Sequence, residues 1–212
     1  MKNIFSAIWA ESLKIYRSKM LWITILAFAF IPSMIGVLMF VVKNPEFSRK
    51  LGMIGTKAAM LRFGSVDWQI YFGLLNQIIA GVGLIGFTFV ASWVFGREYS
   101  DRTVKDLLAL PTPRSSIVLS KFIVVAIWCV LLSFILIAFG LIVGGMIKFP
   151  GWSSEIAFHC VHIFIITSLL TILLCTPVAF FASYGRGYLP AIGFAILTLI
   201  ICLLYTSDAA DE

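Results

Sequence analysis

Glu155, His159 and His162 fall at i, i+4 and i+7, so a helix running through them carries all three on one face. A carboxylate and two imidazoles in that pattern suit a metal ion or a relayed proton, and ionisable groups set into a membrane are costly and often functional. The trio sits at the end of an apolar block, however, where solvated histidines need no ligand, so its role stays open. Gly81-Val82-Gly83-Leu84-Ile85-Gly86 has the spacing GxGxxG, but it lies inside an apolar block with no strand before it, so it is not a dinucleotide fingerprint. The small residues Gly73, Ala80, Gly81 and Gly83 predict a face that another helix approaches closely, as do Gly140 and Gly144 in GxxxG spacing. Gly52 to Lys57 lacks the spacing of a phosphate loop, and no HExxH, GxSxG or paired-carboxylate pattern supports hydrolysis. The cysteines Cys129, Cys160, Cys175 and Cys202 lie within or beside apolar blocks without a CxxC pair, which suits small buried hydrophobes.

The other chemically dense stretch is residues 95–121, FGREYSDRTVKDLLALPTPRSSIVLSK, a charged segment between two membrane-length apolar blocks. Its charged side chains are Arg97, Glu98, Asp101, Arg102, Lys105, Asp106, Arg114 and Lys121. Val104, Leu107 and Leu108 recur at helical spacing while Arg102, Lys105 and Asp106 point elsewhere, and Pro111 forbids continuation. The pattern predicts a short amphipathic helix at the membrane surface.

The elements around these residues follow from composition. The chain has 212 residues, 61% hydrophobic and only 12% charged, with mean hydropathy +1.04, whereas soluble domains carry about 25% charged residues. An all-α, polytopic membrane bundle is expected. Crossing a hydrocarbon core of about 30 Å takes about 20 apolar residues, and five candidate spans run over residues 21–42, 70–95, 117–147, 156–184 and from 189 onward. Upstream, Ile4, Phe5, Ile8, Trp9 and Tyr16 form one helical stripe with Lys2, Asn3, Glu11, Ser12 and Lys14 mostly off it, which predicts an interfacial helix. Pro32 and Pro177 fall inside spans, where Ser and Thr hydroxyls satisfy freed carbonyls and kinks are expected.

Of the sixteen Lys and Arg, ten lie inside if the N-terminus is cytosolic: Lys2, Lys14, Arg17, Lys19, Arg97, Arg102, Lys105, Arg114, Lys121 and Arg186. The bias places Met1 and residues 97–121 in the cytosol. The net charge of +6 thus reflects topology; no basic stripe interleaved with aromatics points to nucleic acid. The final residues 202–212, CLLYTSDAADE, match one reading frame of the transposase adapter used in sequencing-library preparation. On that reading native sequence stops near Ile201, giving a single transmembrane domain over 1–201. Residues 189–201 then cover only about 20 Å at 1.5 Å per residue, so the fifth span is truncated.

The run from Glu98 to Arg114, EYSDRTVKDLLALPTPR, resembles the permease subunits of type-2 ATP-binding-cassette exporters, and most closely the bacitracin-resistance and lantibiotic-immunity group. The order of parts agrees: interfacial helix, span, outer loop, span, charged segment, further spans. Glu98, Thr103, Leu107, Leu108, Pro111 and Arg114 occupy the places of that group's pattern, while Arg102 stands where a glycine is common. The resemblance implies a sixth span in the full protein and a coupling helix carried by Glu98, Asp101, Arg102, Thr103, Val104, Lys105, Leu107, Leu108, Pro111 and Arg114. It further implies a cytosolic ATPase partner that binds ATP and Mg, a second permease copy in a homodimer or heterodimer, and a place in the cell membrane. This chain itself would hold no cofactor and catalyse no reaction; the exported substrate would be an antibiotic peptide or another hydrophobic compound. Two other classes remain open, a non-transporting scaffold or immunity protein and a polytopic membrane enzyme, for which the Glu155 to His162 face offers the one candidate cluster.

Orientation is directly testable with single cysteines in a background lacking the native ones. A membrane-impermeant reagent on intact cells should label a cysteine at Lys50 and spare one at Arg102; the reverse pattern overturns the topology.

Overall fold

The computed structural model describes residues 2–43, 67–100, 113–184 and 189–208. Every regular element among them is an α-helix: α1 Lys2–Tyr16, α2 Lys19–Lys43, α3 Trp68–Ser100, α4 Arg114–Ile147, α5 Ser154–Leu174, α6 Thr176–Tyr184 and α7 Leu189–Asp208. Four stretches among the described residues are long and apolar enough to cross a membrane, Lys19–Val41, Trp68–Glu98, Ser115–Ile147 and Ser154–Ala182. They follow the first four expected spans in order, with ends displaced by a few residues. Large apolar side chains such as Leu26, Phe30, Phe134 and Leu170 stay exposed on their outer faces, the mark of helices that are hydrophobic all round and face lipid. α7 is 20 residues long and carries the shorter apolar stretch Ile192–Ile201.

Local chemistry explains the one break inside a span. Pro177 has no N–H to give to the carbonyl of Leu173, and the Thr176 hydroxyl donates to that oxygen instead at 2.7 Å. The backbone turns at Cys175, separating α5 from α6. Pro32 is absorbed differently: α2 runs through it unbroken.

α3 is the central helix, touching α4, α5, α6 and α7, while α2 lies along α4. Close approach is set by glycines. A methyl group at Gly140 would meet Leu75 Cδ1 at 2.7 Å, and one at Gly144 would meet the Trp68 ring at 2.5 Å, so the GxxxG face of α4 receives α3 as expected. Gly36 similarly admits Val143, and Gly86 admits Phe28, whose ring stacks on Phe87 with centroids 5.8 Å apart. Among the described residues, the glycines of the predicted close-approach face on α3 receive no other helix. Gly73 and Gly81 have no neighbour within 4 Å, and Gly83 meets only its own helix through Ile79 and the Ile78 carbonyl. Small residues make a smooth surface, but the bundle presents a different side of α3 to its partners. Polar links add register: Ser168 donates to Ser133 at 2.6 Å between α5 and α4, and Cys175 Sγ lies 3.8 Å from Thr88 Oγ1.

At the N-terminal end of α3, Trp68 collects Tyr71, Phe72, Phe149 and Trp152 around its ring, with centroids 4.6–6.1 Å away. Its backbone N–H donates to the Pro150 carbonyl at 3.3 Å. The α4–α5 connection is thereby clamped onto α3. At 1.5 Å per residue this aromatic box lies about 45 Å along α3 from Glu98.

Because Gly144 sits directly under Trp68, Gly144→Leu should overpack the α3–α4 contact by about 1–3 kcal/mol or more. Gly145→Leu, one residue away and facing open space, should leave the thermal unfolding midpoint of the purified protein almost unchanged.

Candidate functional site

The opposite end of the bundle gathers four charges from three helices. Glu98 lies in the last turn of α3, Lys121 about two turns into α4, and Glu11 and Lys14 one turn apart on α1. Lys121 Nζ lies 2.8 Å from Glu98 Oε1 and 3.4 Å from Glu11 Oε2, and it donates to the Val94 carbonyl at 3.3 Å. Lys14 Nζ meets Glu11 Oε1 at 2.6 Å and Glu98 Oε1 at 3.8 Å. Glu98 Oε1 makes ion-pair contact without hydrogen-bond geometry, since no donor aligns with it. The side chains of Lys121, Glu11 and Glu98 are only 5%, 7% and 10% exposed, that of Lys14 40%.

Two carboxylates and two ammonium groups neutralise one another in a place where water does not. Taking an ion out of water costs several kcal/mol, and attraction offsets that only where partners are close and further hydrogen bonds are made. Lys121 meets both conditions: two carboxylates and a carbonyl surround it, and the ring of Phe95 lies 6.0 Å away. Arg97, one residue before Glu98, turns elsewhere and stacks over Trp93 at 4.8 Å. For Glu11 burial alone would push the carboxyl up, but the charge of Lys121 and the hydrogen bond and charge of Lys14 outweigh it, so the group sits below its ordinary value of 4.5.

The fold of α1 shows what each of its faces meets. Glu11 and Ile15 are buried, whereas Phe5, Trp9 and Tyr16 are exposed. The acid expected off the apolar stripe faces the bundle, and the aromatics face outward. Where the outside is lipid and interface rather than water, aromatic rings belong there, and the inward acid is held by Lys121. The spacing grouped Phe5, Trp9 and Tyr16 on one face with Glu11 off it, as the structure does, and it named no partner for Glu11.

Of the residues expected to couple to a partner, Glu98 belongs to this cluster. Asp101, Arg102, Thr103, Val104, Lys105, Leu107, Leu108 and Pro111 lie outside the described residues, as does the side chain of Arg114, whose backbone opens α4. Glu11 and Lys121 were missed. The signal was present, since a lysine four residues into the expected span at 117–147 requires an acid from another helix. Glu155, His159 and His162 do share a helix, α5, and line with Gln69 and Phe158 an open depression of about 530 Å³. All three are exposed, and among the described residues no group of three or more His, Cys, Asp or Glu is placed to hold a metal.

Four membrane-length helices with a charge cluster at one end of the bundle define a multi-pass membrane protein. Residues 7–203 match the ABC-2 family transporter proteins, and the chain belongs to that family. It is 31% identical over 138 residues to the bacitracin transport permease protein BCRB of Bacillus licheniformis. That stretch is 65% of this chain and 64% of the relative. No solved structure matches the chain.

The lowered Glu11 carboxyl fixes a sign. Its contribution to stability is present above 4.5 and is lost as pH falls through the lower folded value. Glu11→Gln should therefore unfold at a lower temperature than the parent at neutral pH, with the gap closing as the buffer is taken well below 4.5. A gap that persists unchanged in acid would mean that the charge on Glu11 contributes nothing.

Proposed function

We propose that this chain is the membrane-spanning subunit of an ATP-driven exporter in the cytoplasmic membrane, with its N-terminus and residues 101–112 in the cytosol. The observation that carries this reading is the ion pair closing the base of that segment. Glu98 precedes residues 101–112 and Lys121 follows them, and the two meet at 2.8 Å. Through Glu11 the same lysine reaches α1. A push on residues 101–112 then displaces α3, α4 and α1 together rather than bending one helix end.

In this reading Val104, Leu107 and Leu108 form an apolar ridge that docks on a separate cytosolic ATPase, with Asp101, Arg102, Thr103, Lys105, Pro111 and Arg114 setting its register and ends. ATP and Mg²⁺ bind that partner, and this chain contributes no group to hydrolysis. α1 lies in the membrane interface, supported by the outward Phe5, Trp9 and Tyr16. α7 is the beginning of a fifth span, six spans complete the full protein, and two permease copies assemble with two ATPase copies. The substrate is an antibiotic peptide or a similarly hydrophobic compound, a class supported by the bacitracin transport named for the relative.

Leu107→Asp with Leu108→Asp tests the docking ridge. Each side chain stands to lose about 1.5–3 kcal/mol of burial, enough to release a transient subunit interface. Co-purification with the ATPase should fail while membrane insertion stays intact. Unchanged association and unchanged ATP turnover would mean that this segment docks on nothing.

A further inference from the structure

A groove of about 410 Å³ runs between α1 and α4 on the outside of the bundle, within the about 300–1,000 Å³ of small-molecule sites. Its walls include Trp9, Tyr16, Ile127 and Leu131, and its floor Ile15 and Trp128, both of which are buried. The groove lies on the membrane-facing side, since Ile127 and Leu131 belong to the span Ser115–Ile147 and remain exposed.

Polar groups lie on the floor of the groove and beside its end. Trp128 is 4% exposed, yet among the described residues its indole Nε1–H has no acceptor. Ser18, in the turn joining α1 to α2, has a buried hydroxyl that finds no partner among the described residues. That serine lies between Arg17 and Lys19, both exposed, and among the described residues neither makes an ion pair. Tyr16 and Leu21, on either side of this turn, line the groove itself, so the two cations stand beside its opening.

We propose that the groove is a binding site for one anionic phospholipid. The acyl chain occupies the apolar trough along α4, and the phosphate meets Arg17, Lys19 and the Ser18 hydroxyl. The Trp128 N–H donates to an ester carbonyl oxygen. Apolar lining alone fits any lipid tail or a second copy of the chain. The unpaired cations and unsatisfied donors select a ligand with an acyl chain at one end and several oxygens and a negative charge at the other. Such a lipid would brace α1, and thus the arm that carries Glu11 to Lys121. The site stands on these residues alone and holds whether or not the chain exports anything.

The test uses the full chain in vesicles of equal phosphatidylcholine and phosphatidylglycerol, extracted in mild detergent, with the retained phospholipid measured by mass spectrometry. The parent should retain phosphatidylglycerol in clear excess. Arg17→Gln with Lys19→Gln, both surface changes, should lower that preference on the order of fivefold per cation. Ile127→Trp, which fills the trough from an exposed position, should reduce total retained lipid with the oligomeric state unchanged. Equal retention of the two lipids by the parent, or a preference unaffected by the double glutamine variant, overturns the proposal. A change of oligomeric state in Ile127→Trp without loss of lipid would make the groove a contact between two copies and would likewise overturn it.

Discussion

Lys121 is an ammonium group inside a helix that carries no further charge between it and Lys148, and the arrangement of one end of the molecule follows from the need to neutralise it. The nearest acid is Glu98 at the end of α3, so the end of α3 and the start of α4 must converge here. The second acid, Glu11, comes from α1, which is thereby held against α4 instead of trailing free along the membrane. With α1 fixed, the tight turn at Arg17 and Ser18, where the Ser18 N–H reaches the Ile15 carbonyl at 2.9 Å, determines where α2 begins. α2 then packs along α4, with Gly36 admitting Val143. Removing Lys121 would leave Glu98 and Glu11 with Lys14 alone, 3.8 Å and 2.6 Å away, and a buried acid that loses a close partner is costly.

The two ends of the bundle are held by different chemistry. Around Trp68, aromatic edges and faces clamp the α4–α5 connection without a formal charge, and such contacts give way gradually. The ion cluster is discrete, because a carboxylate and an ammonium either meet or leave each other unpaired. Discreteness suits a junction that must hold one arrangement or another, as the proposed coupling to an ATPase requires. Between the ends, glycine contacts and the Ser133–Ser168 hydrogen bond fix the depth and register of α4 against its neighbours.

How much of this was legible in the sequence depends on which physical question each residue answers. The spans were legible because apolar length answers only whether a segment tolerates lipid. The end of the second was not, because Glu98 is a charge satisfied inside the protein, and a count of apolar residues treats such a charge as exposed. Gly140 and Gly144 were read correctly as a contact face, while the equally small Gly73 and Gly81 meet nothing among the described residues; spacing describes a surface and not what lies opposite. That Glu11 turns into the bundle was not legible for a deeper reason. Periodicity separates the two faces of α1, but which face turns inward depends on whether the exterior is water or lipid. A polar link such as Ser168 to Ser133 is invisible until two helices are set in register.

The central claim is that Glu11 and Lys121 hold α1 to α4 as a pair, and a double-mutant cycle on thermal or denaturant unfolding of the purified protein measures that pairing directly. Lys121→Met alone should cost about 3–5 kcal/mol, and Glu11→Gln alone should also destabilise. The double variant should lose less than the sum of the two, by about 1 kcal/mol or more. Effects that add to within about 0.5 kcal/mol would contradict it, leaving α1 attached to the bundle by its apolar contacts alone.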